Sequence, residues 1–254
     1  RYGMHRGERH ADDATVTVTH STHKLLAALS QASMIHIRSG KVPVKPALFN
    51  EAFMMHTSTS PQYSIIASTD VSAKMMDDAG EYLTDESIDE AITFRQAMVR
   101  LTQQVVQRNA TDWWFGVWQP DDVDGTPFAE VDRQRLHQSD AWVLKPGAQW
   151  HGFGDLGNDY CMLDPIKVTL LTPGLDSQGQ LQAWGIPAPL VSSFLSSCGT
   201  VVEKTEPYSI LVLFSIGVTK GKWGSLVAAM MEFKKHYDAN TALEEVMPDL
   251  VAAY

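Results

Sequence analysis

The stretch Ser21-Thr22-His23-Lys24 places two hydroxyls, an imidazole and a primary amine on consecutive residues. A lysine in a partly desolvated pocket has a lowered pKa, and its free amine attacks an aldehyde to form an imine. Pyridoxal phosphate offers both an aldehyde and a phosphate. Ser21, Thr22, His23 and nearby backbone N–H groups are donors of the kind that hold a phosphate by charge-assisted hydrogen bonds. On spacing alone the pattern fits a surface lysine beside a turn better than a reactive amine, since Ser-x-His-Lys is short. His20 and His23 stand three apart, but no Cys, Asp or Glu completes a recognisable metal set. Ser21 lacks the Gly-x-Ser-x-Gly frame of a hydrolase nucleophile. His151, after Trp150, is a candidate for proton transfer, and Asp164 for a substrate's distal cation. A satisfied structural histidine and a turn residue before Pro165 are the plainer readings of these two.

The elements around these residues follow from periodicity. Residues 14–19 (ATVTVT) alternate β-branched side chains and predict a strand that delivers the chain to Ser21. An apolar stretch at 25–37 and a turn region at 40–46 come next. Helical patterning covers 47–55 and 61–76, with Pro61 suited to a first turn. The clearest helix is predicted to start at Ser87, where Ser87 and Glu90 have capping-box spacing. Ile88, Ala91, Met98, Leu101 and Val105 form one stripe running to about Arg108. Met54, Met55, Met75 and Met76 read as core filler. An aromatic cluster (Trp113, Trp114, Phe115, Trp118) precedes an Asp-rich stretch, 121–140, expected to be a surface excursion. Strands are predicted at 142–144, 166–171, 200–204 and 208–217, and helices at 186–197 and 222–237. The chain is therefore mixed α/β or α+β, with a break near 75–85.

Composition narrows the function classes. With 20 Lys+Arg against 30 Asp+Glu the 254 residues carry a net charge of −10, so a nucleic-acid partner is not expected. Apolar residues at 44% describe an ordinary globular chain able to bury a core, not a disordered one. No apolar run reaches membrane-span length, so no membrane partner is expected. Cys161 and Cys198 are far apart and form no CxxC pair, which points to a reducing, cytoplasmic compartment. The polar start, RYGMHRGERHADD, has no signal-peptide core and no initiator Met, and is expected to belong to something longer.

Beyond the motif itself, residues 21–36 (STHKLLAALSQASMIH) closely resemble the cofactor-lysine segment of the bacterial ornithine/lysine/arginine decarboxylases. Further resemblances follow in order at 50–61 (NEAFMMHTSTSP), 150–153 (WHGF), 163–168 (LDPIKV), 213–217 (LFSIG) and 236–241 (HYDANT). The resemblance covers nearly the whole chain. It implies an α/β fold: the C-terminal part of a PLP-dependent, aminotransferase-like large domain at 1–75, then a smaller α/β domain at 76–254 that includes the long connecting helix. It implies pyridoxal 5'-phosphate as cofactor, Lys24 as the lysine that holds it, and Ser21 and His23 as phosphate contacts. Ser58 would reach the phosphate of a dimer partner, although lysine-specific members tend to carry Thr there. The resemblance further implies homodimers stacked into decamers and a basic amino acid as substrate; no metal is expected, on the residue reading above.

Residues 163–174 and 201–208 look like the lysine enzymes, whereas 218–224 and 236–241 look like the inducible arginine enzymes. Lysine is chosen over arginine, and ornithine fits worst. The family's pyridine-nitrogen aspartate and ring-stacking residue would fall before Arg1, and nothing qualifies Asp12 or Asp13 as a substitute. A non-catalytic segment of such an enzyme is accordingly the alternative.

Overall fold

Alternating β-branched residues form the first strand, as their spacing predicts. In the computed structural model, β1 (Val16–His20) leads into the four-residue helix α1 (Thr22–Leu25) and pairs antiparallel with β2 (Met34–Arg38). The structure describes residues 14–25, 27–154, 156–157, 161–176 and 179–253; Asp12 and Asp13 lie outside them. β2 begins within the apolar stretch 25–37 and ends at Arg38; its five residues, MIHIR, are too few to make a period of two stand out from the mixed run before them. Helix α2 (Pro46–His56) opens with proline at its first turn and buries none of its residues. Met54 and Met55, expected in a core, are instead 51% and 80% exposed on it.

The next helix corrects the predicted boundaries. α3 (Tyr63–Arg108) is continuous over 46 residues, about 70 Å at 1.5 Å per residue. Ser87 does not cap a helix start. Its hydroxyl donates to the Leu83 carbonyl one turn back at 3.0 Å, and no proline interrupts residues 77–86. The chain divides into two units, residues 1–81 and 82–254.

The second unit is built on a four-stranded antiparallel sheet in the order β3 (Gly116–Val117), β6 (Lys167–Leu171), β8 (Ser209–Leu213), β7 (Lys204–Thr205). Register places Val168 opposite Val212 and Leu170 opposite Ile210, one apolar face. That face packs with Ala91, Phe94 and Met98 of α3, with Val191, Phe194 and Leu195 of α5 (Ala188–Ser197), and with Leu226, Met230 and Phe233 of α6 (Lys220–Asp238). Met247, between α7 (Leu243–Val246) and α8 (Pro248–Ala252), closes this core.

The Asp-rich stretch is no surface excursion. It contains the ribbon β4 (Asp122–Val123)/β5 (Thr126–Pro127) and the short helix α4 (Arg133–Leu136), and it buries Val123, Phe128, Val131 and Leu136 in a second core. The predicted strand at 142–144 is instead a 3-10 turn, Ser139–Trp142, followed by an isolated bridge from Val143 to Met162. The turn lets the Trp142 ring enter the second core while its indole N–H donates to the Leu136 carbonyl at 2.7 Å.

Helix α3 therefore carries two stripes. Ala91, Phe94 and Met98 face the first core; Ile88, Ile92 and Val99 face the second. Arg95 falls on the second stripe and is 0% exposed. Its guanidinium donates to the carbonyls of Pro165 (3.0 Å), Lys167 (3.0 Å) and Trp118 (3.3 Å) and lies 5.2 Å from the Trp142 ring centroid. Thus it closes the end of the β3–β6 pair, where strand carbonyls run out of partners.

A close backbone crossing braces the loop after β6. Gly174 has φ +113°, and a Cβ there would stand 2.7 Å from the Tyr208 ring and 2.8 Å from the Gly185 Cα. Gly174→Ala is expected to destabilise the protein by about 3 kcal/mol or more, because both conformation and space forbid the methyl. Urea denaturation checks this, and a loss under 1 kcal/mol would contradict it.

Candidate functional site

At its C-terminal end β1 hands the chain to α1, whose tightness gathers the hydroxyl, imidazole and amine. The Lys24 N–H donates to the Ser21 carbonyl at 3.1 Å, so both residues occupy one turn and both are exposed. Among the described residues no hydrogen bond or ion pair engages the Lys24 ammonium. The desolvated pocket expected around it is not formed by the described residues. Thr22 turns inward, 3% exposed, and among the described residues its buried hydroxyl has no hydrogen-bond partner.

His23 is half-buried, and its Nδ1 lies 2.8 Å from the Ala32 carbonyl. A carbonyl only accepts, so Nδ1 carries a proton and Nε2 is left for another partner. His20 is exposed, its ring 4.9 Å from that of His36 on the paired strand. Ser58 is exposed beyond α2, where its Oγ accepts from the Ser60 N–H at 3.1 Å. The structure brings together Ser21, His23 and Lys24; among the described residues no hydrogen bond or ion pair joins Ser58 to them.

The other candidates have structural partners. His151 is 4% exposed; its Nε2 donates to the Lys145 carbonyl at 2.9 Å and its Nδ1 accepts from the Phe153 N–H at 3.0 Å. Both nitrogens are used, which fixes one neutral tautomer. Asp164 accepts from the Ile166 N–H at 3.3 Å, a turn role. His236, Tyr237, Asn240 and Thr241 of the block at 236–241 line a cavity of about 290 Å³ over Phe194 and Phe233. Among the described residues no group of three or more His, Cys, Asp or Glu could hold a metal ion.

One charged cluster that sequence reading missed ties α6 to the aromatic segment. The Lys234 ammonium lies 2.5 Å from Asp112, 2.6 Å from Asp238 and 4.6 Å from the Trp113 ring centroid. Its hydrogen bond holds the Asp112 carboxyl below the ordinary range, against the opposing pull of burial. A carboxylate depressed in the folded state stabilises the fold above its unfolded pKa. That contribution fades as pH falls below about 4 through the depressed value. Asp112→Asn is therefore expected to be less stable than the parent at neutral pH and to converge with it in acid. Denaturation at several pH values reads this, and a difference that persists unchanged into acid would contradict it.

Local geometry and fold together define a lysine-bearing turn at the end of a strand in a mixed α/β chain. Residues 2–222 match the Orn/Lys/Arg decarboxylase major-domain family. The chain belongs to that family. It is 55% identical over its whole length to lysine decarboxylase LdcA of Pseudomonas aeruginosa, covering 32% of that protein. With the biodegradative arginine decarboxylase of Escherichia coli K12 it shares 48% identity over 94% of its length, covering 33% of that enzyme. The solved structure of lysine decarboxylase A from Pseudomonas aeruginosa superposes with a TM-score of 0.80 at 53% identity, covering 94% of this chain and 31% of that one. The chain thus spans about a third of the length of the curated relatives it matches. Among the described residues no helix is long and apolar enough to cross a membrane.

Proposed function

We propose that this chain supplies the cofactor lysine of a PLP-dependent decarboxylase acting on L-lysine, the product being cadaverine. What carries the reading is the single turn in which Ser21, His23 and Lys24 present a hydroxyl, an imidazole nitrogen and an exposed amine on neighbouring residues. That donor set fits pyridoxal phosphate: an amine for its aldehyde, and two donors for its phosphate. When bound, the cofactor supplies the electron sink that accepts the electrons of the breaking Cα–carboxylate bond.

The chain's own residues do the remaining work. Ser21 Oγ and His23 Nε2 would hold the phosphate, with His23 Nδ1 committed to the Ala32 carbonyl. Lys24 Nζ would anchor the cofactor through its aldehyde and would supply the proton that Cα gains. Ser58 completes the phosphate site of a partner subunit, so the working form is a homodimer, stacked into decamers, in the cytoplasm. Lysine is favoured over arginine by the higher identity to a lysine decarboxylase, 55% against 48%.

Carbon dioxide release from lysine, arginine and ornithine, assayed side by side, tests the reading. Lysine is expected to lead arginine by about tenfold or more in kcat/KM. Equal turnover or a preference for arginine would overturn the substrate assignment. Cofactor uptake with no carbon dioxide from any of the three would favour the non-catalytic alternative.

A further inference from the structure

The imidazole of His23 does not orient itself. Its anchor, the Ala32 carbonyl, belongs to a tight turn in which the Ala32 N–H donates to the Leu29 carbonyl at 3.1 Å. The third residue of that turn, Gln31, has φ +77°, a left-handed conformation that a side-chain-bearing residue adopts only under constraint. Gln31 itself is exposed, so packing of its side chain does not explain the strain, whereas Ala32 is 0% exposed. The turn is pinned at its other end by α3. The Leu29 N–H donates to Ser68 Oγ at 3.1 Å, and that hydroxyl donates to the Ile65 carbonyl at 2.7 Å. A chain of four hydrogen bonds therefore runs from α3 through a strained turn to the imidazole beside Lys24.

We infer that Ser68 and the turn at 29–32 are positioning elements for the phosphate end of the cofactor site, fixing the His23 ring so that Nε2 faces the anion. The inference rests on the proposed cofactor role of Ser21, His23 and Lys24, and it adds two residues, Ser68 and Gln31, that the motif does not contain. Strain of this kind persists where the surrounding structure over-determines it. Ser68 supplies one determinant from α3 and the buried Ala32 another. Without the Ser68 hydroxyl, the Leu29 N–H loses its acceptor, the turn relaxes toward an unstrained φ, and the Ala32 carbonyl swings away from Nδ1.

The test compares binding of pyridoxal phosphate with that of pyridoxal, which has the aldehyde but no phosphate, by visible absorbance of the purified protein. Ser68→Ala is expected to weaken pyridoxal phosphate binding about tenfold, the scale of one lost hydrogen bond, and to leave pyridoxal binding unchanged. Ser68→Thr, which keeps a hydroxyl, is expected to restore it. Gln31→Val, whose branched side chain resists a left-handed φ, should reproduce the phosphate-selective loss, while Gln31→Gly should bind as the parent does. A general loss of packing would weaken both ligands together and lower Tm. That result, or parental binding in both Ser68→Ala and Gln31→Val, overturns the inference and leaves the cofactor reading standing. A parent protein that takes up neither ligand overturns the cofactor reading, and this inference with it.

Discussion

Arg95→Leu is expected to lose about 3–5 kcal/mol of stability, the largest effect of any single substitution outside the candidate site. Burial pushes the Arg95 guanidinium down to about 9, with Asp164 pulling the other way, so it remains charged at neutral pH. Among the described residues no carboxylate pairs with it; its charge is balanced by the carbonyls of Pro165, Trp118 and Lys167, with Gln119 Oε1 at 3.4 Å. Replacing a buried ion pair by apolar groups is often harmless because both partners leave together. Here the partners are backbone carbonyls and cannot leave, so leucine would strand several buried acceptors. Arg95→Lys is expected to fare little better, since one ammonium cannot span carbonyls that a planar fork reaches from three nitrogens. Equilibrium urea unfolding, with tryptophan fluorescence reporting Trp118 and Trp142, measures the loss. A Leu variant within 1 kcal/mol of the parent would contradict the assignment of Arg95 as the clamp between the sheet and the second core.

The second large effect is on activity. Lys24→Ala is expected to reduce decarboxylation by about a thousandfold or more, because no other group in the turn can form an imine. Stability should hardly change: the side chain is exposed and, among the described residues, its ammonium has no partner. That separation makes the substitution informative, since lost activity cannot be ascribed to a damaged fold. Lys24→Arg keeps the charge but not the nucleophile, and should be equally inactive. Activity within tenfold of the parent in either variant, at matched Tm, would remove Lys24 from the mechanism.

How far such features can be read from sequence depends on whether side chains or backbone carry them. Alternation at 16–20 and the apolar repeats of 188–197 and 220–238 announce their elements, because each buries one face with a fixed period. Ser87 misleads because a serine four residues after Leu83 satisfies itself within a helix as readily as at its start. The second core was hidden by the aspartates of 121–140, whose carboxylates stay outside while Phe128, Val131 and Leu136 turn in. Arg95 left one faint trace, a charge standing at an apolar position between Ile92 and Val99. Ser21, His23 and Lys24 are adjacent in the chain, and resemblance, more than spacing, singles them out. The turn that holds His23 is silent in sequence: its acceptor is a backbone carbonyl, and its strained residue is a glutamine where a glycine would have signalled the left-handed φ.

The covalent bond between cofactor and lysine is the point on which the functional account stands, and it can be observed directly. The protein is incubated with pyridoxal phosphate, reduced with borohydride, digested, and its peptides are weighed by mass spectrometry. The account predicts one stoichiometric phosphopyridoxyl group, located on Lys24. A protein that decarboxylates lysine while Lys24 remains unlabelled, or carries the label on a different lysine, would contradict it.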